Sequence, residues 1–100
     1  MNYVNYEIFL NDCGFTLRTY VKMDLTGTSV RNLIIQKPDK TTEVSIACTI
    51  DPTDSKYMTC TVPTGTFNAV GYYLFKSYIE KGTFKKYGKT IQIEIKNKWD

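Results

Sequence analysis

The sequence has few cysteines and lacks histidine, and its acidic residues are not spaced as in a catalytic or metal site. The sequence contains three cysteines and no histidine, although histidine is the commonest general base and metal ligand in proteins. Asp12, Asp51 and Asp54 lie in turn-like segments, where acidic residues usually cap turns. Their spacing does not match the D-x-D-x-D-G pattern of a calcium loop. We therefore predict no metal site and no cofactor.

The sequence predicts that two of the cysteines are buried and that the third is exposed. Cys48 and Cys60 fall on the apolar faces of two strand-like segments, whereas Cys13 lies in a turn. The pair has two open interpretations: small buried hydrophobic side chains, or a cross-strand disulfide formed outside the cell. No C-x-x-C is present, which argues against zinc. An odd cysteine count and an N-terminus without a basic signal-peptide region favour free thiols in protein made in the cytosol.

The remaining candidate chemistry is binding rather than catalysis. We find no nucleophile–base pair and no glycine-rich phosphate loop, so the sequence predicts a protein that is not an enzyme. Tyr72, Leu74 and Tyr78 share the outward face of the longest predicted strand, near Lys76. This row is a partner-binding stripe, a surface covered by a loop or by the N-terminal segment, or a face that stacks nucleic-acid bases. The net charge of only +3 argues against nucleic acid.

The elements that position these residues are strands. Side chains alternate between apolar and polar over several segments, which is the period of a half-buried strand. The most apolar segment lies between two turn sequences, at 24–27 and 38–39, and contains Leu33-Ile34-Ile35. We predict that Leu33 and Ile35 point inward, together with Phe75 and Ile93. The seven predicted strands are residues 7–10, 15–22, 30–37, 42–50, 57–62, 72–80 and 84–95.

Seven short strands with frequent turns and no helical period predict an all-β fold, an immunoglobulin-like antiparallel β-sandwich of about seven strands. One hundred residues predict a single domain spanning residues 1–100. Gly82 is expected to turn a hairpin, Gly88 to mark a bulge, and Phe67 and Val70 to close one end of the core. Gly71-Tyr72-Tyr73 opens the penultimate strand, where such folds often place a corner tyrosine. No apolar run is long enough to span a membrane.

The order of short motifs resembles a known family. Five motifs follow one another along nearly the whole chain: Asn11-Asp12-Cys13-Gly14, Asp24-Leu25-Thr26-Gly27-Thr28, Gln36-Lys37-Pro38-Asp39-Lys40, Thr61-Val62-Pro63 and Ala69-Val70-Gly71-Tyr72-Tyr73. This order is similar to that of the small Ig-like β-sandwich modules of tailed-phage virion proteins, including the N-terminal domain of baseplate upper proteins. The family pattern has glycine where this chain has Asn11 and Lys40.

The resemblance implies a non-enzymatic structural protein of a phage particle. Because the chain begins and ends with the module, we expect a capsid decoration or auxiliary protein, with a small neck, tail or baseplate component as the alternative. Its expected partners are other virion proteins, with many copies on one particle and synthesis in the cytoplasm of the bacterial host. The alternative from another class is a nucleic-acid-binding module.

Residues expected to bind a partner come from the strands and from both chain ends. Tyr72, Leu74 and Tyr78 are the candidates within the strands, and Trp99 is the candidate on the C-terminal tail. Tyr3 and Tyr6 belong to an N-terminal segment expected to order on the particle. Residues 76–100 contain seven lysines and three acidic residues. This excess of positive charge fits either an acidic partner or a strand edge protected by lysines.

Overall fold

A computed structural model of the chain describes residues 7–99. Over this range the regular secondary structure is entirely β. The strands are β1 (Ile8–Phe9), β2 (Thr16–Tyr20), β3 (Val30–Gln36), β4 (Glu43–Ala47), β5 (Thr49–Ile50), β6 (Tyr57–Thr61), β7 (Gly71–Lys81), β8 (Phe84–Tyr87) and β9 (Ile91–Lys96). None of the described segments is a helix of the length and apolarity that crossing a membrane requires.

The strands form two sheets. The large sheet has the order β1-β9-β7-β3-β4, with β8 also paired to β7, and the small sheet has the order β2-β6-β5. The all-β prediction is thus confirmed, and the arrangement is consistent with a β-sandwich. The prediction of a wholly antiparallel fold is wrong at one edge, because β1 runs parallel to β9 with Ile8 opposite Ile95.

Buried side chains from both sheets form one core. Leu33, Ile35 and Phe75 point into it, with 3%, 0% and 5% of their surfaces exposed, which confirms the predicted inward faces of β3 and β7. Ile93 packs against this core but is only partly buried. Phe67 is completely buried, whereas Val70 is half exposed, so the prediction that both residues close the core is wrong for Val70.

The segment 42–50, predicted as one strand, divides at Cys48. β4 pairs with β3 in the large sheet, and the Cys48 N–H extends this ladder by donating to the Arg31 carbonyl at 2.8 Å. Thr49 and Ile50 then pair with β6 in the small sheet. Two short strands replace one because the chain changes sheets here.

The segment 84–95 divides at Gly88, where the expected bulge is found. Tyr78 lies opposite Tyr87 and Phe75 lies opposite Ile91. Two residues of β7 therefore face three residues of the opposing segment, which is the geometry of a β-bulge. A Cβ atom on residue 88 would lie 2.1 Å from the Ser77 Oγ, so only glycine fits without a shift of its neighbour. Together with the division at Cys48, this bulge gives nine strands within residues 7–99, where seven were predicted.

Within residues 7–99, three residues other than glycine adopt a left-handed backbone: Asn11, Lys22 and Lys40. Asn11 and Lys40 lie in two turns and have φ angles of 69° and 64°. The Asp39 carboxylate supports the second turn by accepting hydrogen bonds from the N–H groups of Thr41 and Thr42, at 2.9 and 2.8 Å. Its hydrogen bonds with Thr42 and Thr41 lower the pKa of Asp39 to about 2. The Asp39 carboxylate is thus hydrogen-bonded next to Lys40, whose positive φ is a conformation that residues other than glycine rarely adopt.

Candidate binding surface

The outward side of the large sheet carries three of the four predicted partner-binding residues that lie within residues 7–99. Successive side chains of a strand point to opposite faces. In β7 the side chains of Tyr73, Phe75, Ser77 and Ile79 are buried, so the residues between them point outward. Ile34 lies beside Lys76 across the β3–β7 ladder, and Tyr87 lies opposite Tyr78. We define the outer face as Ile34, Tyr72, Leu74, Lys76, Tyr78 and Tyr87.

The outer face is unevenly exposed. Tyr72 and Tyr87 expose 56% and 58% of their surfaces, whereas Leu74 and Tyr78 are half-buried. The three residues of the predicted row therefore lie on one face, and Tyr72 is its most accessible member. Trp99 follows β9 and is 85% exposed. Tyr3 and Tyr6 lie outside the described residues.

Tyr87 belongs to the outer face but was not among the predicted site residues. Uninterrupted alternation back from Ile91, which packs against the core, would turn Tyr87 inward. The extra residue of the bulge reverses this, so that Tyr87 points outward and packs against Tyr78 in a tilted arrangement, with 4.8 Å between ring centroids. The signal in the sequence is Gly88, because the bulge that it predicts also turns Tyr87 to the outer face.

An open groove of about 320 Å³ crosses the outer face. Its lining combines aliphatic, aromatic and charged groups: Ile34, Gln36, Glu43, Leu74, Lys76, Tyr87 and Thr90. The Lys76 ammonium lies 5.8 Å from the centre of the Tyr87 ring, within the range of a cation–π interaction. Small-molecule sites are usually enclosed and mostly apolar. An open groove with both apolar and charged groups is better suited to contact the surface of another protein.

Tyr78 is held in place by its neighbour on the same strand. Its hydroxyl donates to the Glu80 Oε2 atom at 2.5 Å. This hydrogen bond, together with partial desolvation, raises the pKa of Tyr78 to about 12. The phenol therefore stays neutral at physiological pH, and its ring is oriented by a hydrogen bond on one side and by Tyr87 on the other.

Lysines border the outer face along β8. The hairpin turns at Gly82 and Thr83, as expected, and Gly82 has a φ of 62°. Lys85, Lys86 and Lys89 are exposed. The ion pairs found within residues 7–99 are Arg18–Asp51 and Lys96–Glu7, so these three lysines are not neutralised by a salt bridge there. They flank an edge strand, where positive charge discourages further strand pairing.

The outward side of the small sheet carries a second aromatic cluster that is internally satisfied. The Arg18 guanidinium lies 3.6 Å from the centre of the Tyr57 ring. The Tyr20 ring packs against the Tyr57 ring with 5.1 Å between their centroids. Arg18 also donates to Asp51, and this bond holds the pKa of the Asp51 carboxyl well below its usual range. These groups bind one another, which is typical of a structural cluster.

The candidate reactive residues have structural partners. Asp51 and Asp54 accept hydrogen bonds from the Thr53 and Lys56 N–H groups, at 2.8 and 3.0 Å, and so cap their own loop. Between residues 7 and 99 no cluster of three histidine, cysteine or acidic side chains could hold a metal ion. Cys48 and Cys60 are buried free thiols and Cys13 is an exposed one, which matches the expected placement.

Comparison of the sequence with protein-family models gives no match, and comparison with curated proteins gives none either.

Proposed function

We propose that the chain is an immunoglobulin-like module that serves as a non-enzymatic structural protein of a tailed-phage virion and docks on another virion protein through its outer face. One observation carries this proposal. Tyr72 and Tyr87 are each more than half exposed on the large sheet, next to the apolar side chains of Ile34 and Leu74. Clustered aromatic and aliphatic groups on an exposed sheet face are typical of protein–protein interfaces.

The strand order supports the immunoglobulin-like part of the proposal. In that fold one sheet contains strands C, F and G and the other contains B, E and D. β3, β7 and β9 are neighbours in the large sheet and take the places of C, F and G, while β2, β6 and β5 take those of B, E and D. β4 then takes the place of C′, the strand that variable-type domains add beside C.

A tyrosine at the start of β7 gives independent support. The Tyr73 hydroxyl donates to the Ala69 carbonyl at 2.7 Å and accepts from the Ala69 N–H at 3.2 Å. A tyrosine near the start of strand F, bonded to backbone a few residues upstream, is the tyrosine corner of immunoglobulin-like domains. Tyr73 is completely buried, so the hydroxyl links the β6–β7 connection to the core.

The virion role is supported by the order of turn motifs along the chain. We propose that the protein is a capsid decoration or auxiliary protein present in many copies and made in the cytoplasm of a bacterial host. A small component of the neck, tail or baseplate is the alternative position. The proposed partners are capsid or tail subunits, and the proposal involves no small-molecule substrate, cofactor or membrane.

One observation favours a rival function of another class. Lys76 lies over the Tyr87 ring, and exposed lysines continue along β8 and beyond it. Single-stranded nucleic acids bind to surfaces where aromatic rings stack bases and lysines contact phosphates. Such binding weakens steeply as salt rises, so titration with a short oligonucleotide at two salt concentrations distinguishes the rival from protein docking.

The direct test is binding to particles that lack the protein. Purified chain is mixed with such particles, sedimented, and quantified in the pellet. The Tyr72→Ala, Leu74→Ala double variant removes the exposed aromatic and its aliphatic neighbour, and we expect roughly ten-fold weaker binding or more, because truncated interface anchors commonly cost over 1.4 kcal/mol. Circular dichroism establishes that the variant is folded.

Tyr20→Ala is the matched control, since it removes a tyrosine that is 40% exposed on the outward side of the small sheet. It should bind particles like the unmutated protein. Full occupancy by the double variant would show that a different surface docks. If the unmutated, folded protein never binds to particles, the virion proposal itself is wrong, and salt-sensitive oligonucleotide binding would then favour the rival.

A further inference from the structure

Cys48 occupies the point at which the chain passes from one sheet to the other. Its N–H is bonded to Arg31 in the large sheet, and the following residues belong to the small sheet. The β5–β6 register places Thr49 opposite Thr59 and Ile50 opposite Met58. Continued by one residue, the same register places Cys60 opposite Cys48.

The type of cross-strand position favours close approach of the two side chains. The Asp51 N–H donates to the Tyr57 carbonyl, which marks residues 51 and 57 as a hydrogen-bonded pair. Hydrogen-bonded and non-hydrogen-bonded pairs alternate, so Cys48 and Cys60, three steps away, fall at a non-hydrogen-bonded position. Opposed Cα atoms at such positions are about 4.5 Å apart, which lies within the range that disulfides span.

The environment of the two thiols agrees with this placement. Cys48 and Cys60 are 5% and 7% exposed and belong to the same core. The neighbouring Cys60 thiol, together with burial, raises the pKa of the Cys48 thiol, whose Sγ donates to the Ile46 carbonyl at 3.5 Å. Cys13 differs on each count, because it is exposed and lies in the loop between β1 and β2. The chain thus contains two buried cysteines that lie opposite each other and one exposed cysteine that serves as an internal control.

We propose that Cys48 and Cys60 are an oxidative crosslinking site, which forms an intramolecular disulfide within the native fold when the protein meets a small disulfide oxidant. The thiolate of one cysteine attacks a sulfur of oxidised glutathione and releases one glutathione thiolate. The second cysteine then displaces the other glutathione from the mixed disulfide. Two protons and two electrons pass from the cysteine pair to the oxidant, which becomes two molecules of reduced glutathione.

The strand that must open to admit the oxidant is short and peripheral. β5 contains two residues and forms one edge of the small sheet, so local opening is much easier than global unfolding. The crosslink would tie the sheet-to-sheet crossing to β6 and close the loop 49–59. A virion protein leaves the host cell and meets oxidising conditions outside it, so the place of the reaction rests on the proposed function. The reaction of the two cysteines with the oxidant does not depend on that function.

The test uses the full folded chain, reduced and then incubated with oxidised glutathione. The protein is denatured, alkylated and analysed by mass spectrometry. Before oxidation three thiols should be labelled; after it Cys48 and Cys60 should be unlabelled and joined in one peptide pair, and the thermal midpoint should rise by several degrees because a loop is closed. Cys13→Ser provides a background without the exposed thiol, in which the labels fall from two to none.

Cys48→Ser is the matched control, because it keeps the size of the side chain but removes the partner of Cys60. Its thermal midpoint should not rise with oxidant. Continued alkylation of both Cys48 and Cys60 in oxidised wild-type protein would overturn the proposal. So would a disulfide that forms only in urea-unfolded chain, or one that lowers the midpoint, since either result would mean that the native fold does not accommodate the bond.

Discussion

Removing a single hydroxyl at the start of β7 offers a sensitive test of how this fold is held together. Tyr73→Phe keeps the ring, which packs edge-on against Phe67 with 5.2 Å between centroids. It deletes only the group that is bonded to both the N–H and the carbonyl of Ala69. The change therefore isolates the link between the β6–β7 connection and the core.

The expected loss of stability follows from those two hydrogen bonds. Each is worth about 0.5–1.5 kcal/mol net, which gives a range of about 1–3 kcal/mol for the pair. Ala69 is exposed, so water can partly replace the hydroxyl at its backbone groups. We therefore expect a loss of about 1–2 kcal/mol, with the thermal midpoint falling by roughly 4–8 °C for each kcal/mol in a domain of this size.

The assay is urea and thermal unfolding followed by circular dichroism. Tryptophan fluorescence is a poor probe here, because Trp99 is 85% exposed in the folded protein. Tyr72→Phe is the matched control: the neighbouring residue is mostly exposed, and its change should cost less than about 0.5 kcal/mol. Equal losses for the two variants, or no loss for Tyr73→Phe, would refute the assigned role of the Tyr73 hydroxyl.

Three further predictions concern the core, the bulge and the dependence on pH. Phe75→Ala should lower the free energy of unfolding by about 3–5 kcal/mol, because it removes a buried ring and leaves a cavity; an unchanged urea midpoint would contradict the inward face of β7. Gly88→Ala should destabilise the protein by about 1–3 kcal/mol through overlap with Ser77, and a double-mutant cycle should show a smaller cost in a Ser77→Ala background; equal costs in both would contradict the clash. The folded-state pKa of Asp39, about 2, lies below the ordinary value near 3.9, so its contribution to stability is present above pH 4 and is lost as pH falls towards 2. Asp39→Asn should therefore flatten the fall in thermal midpoint measured between pH 5 and pH 2, and an unaltered slope would assign the acid sensitivity to other groups.

Local sequence determined most strands and their buried faces. Alternation of side chains predicted that Leu33, Ile35 and Phe75 point inward, and it also placed Tyr72 on the opposite face from the core. These predictions succeeded because a strand has a period of two, so one correctly assigned apolar residue fixes the orientation of its neighbours. Turn residues were equally informative, since Gly82 and the Pro38-Asp39 pair act through local backbone geometry.

Tertiary structure decided which strands pair and where a strand is interrupted. The change of sheets at Cys48 and the parallel pairing of Ile8 with Ile95 join segments far apart in the chain, and no local pattern specifies such partners. The bulge at Gly88 was anticipated, but its effect on Tyr87 depends on the register with β7. A shift of one residue moves a side chain from the core face to the surface, and for this reason the contact of Tyr87 with Tyr78 could be found only from the folded chain.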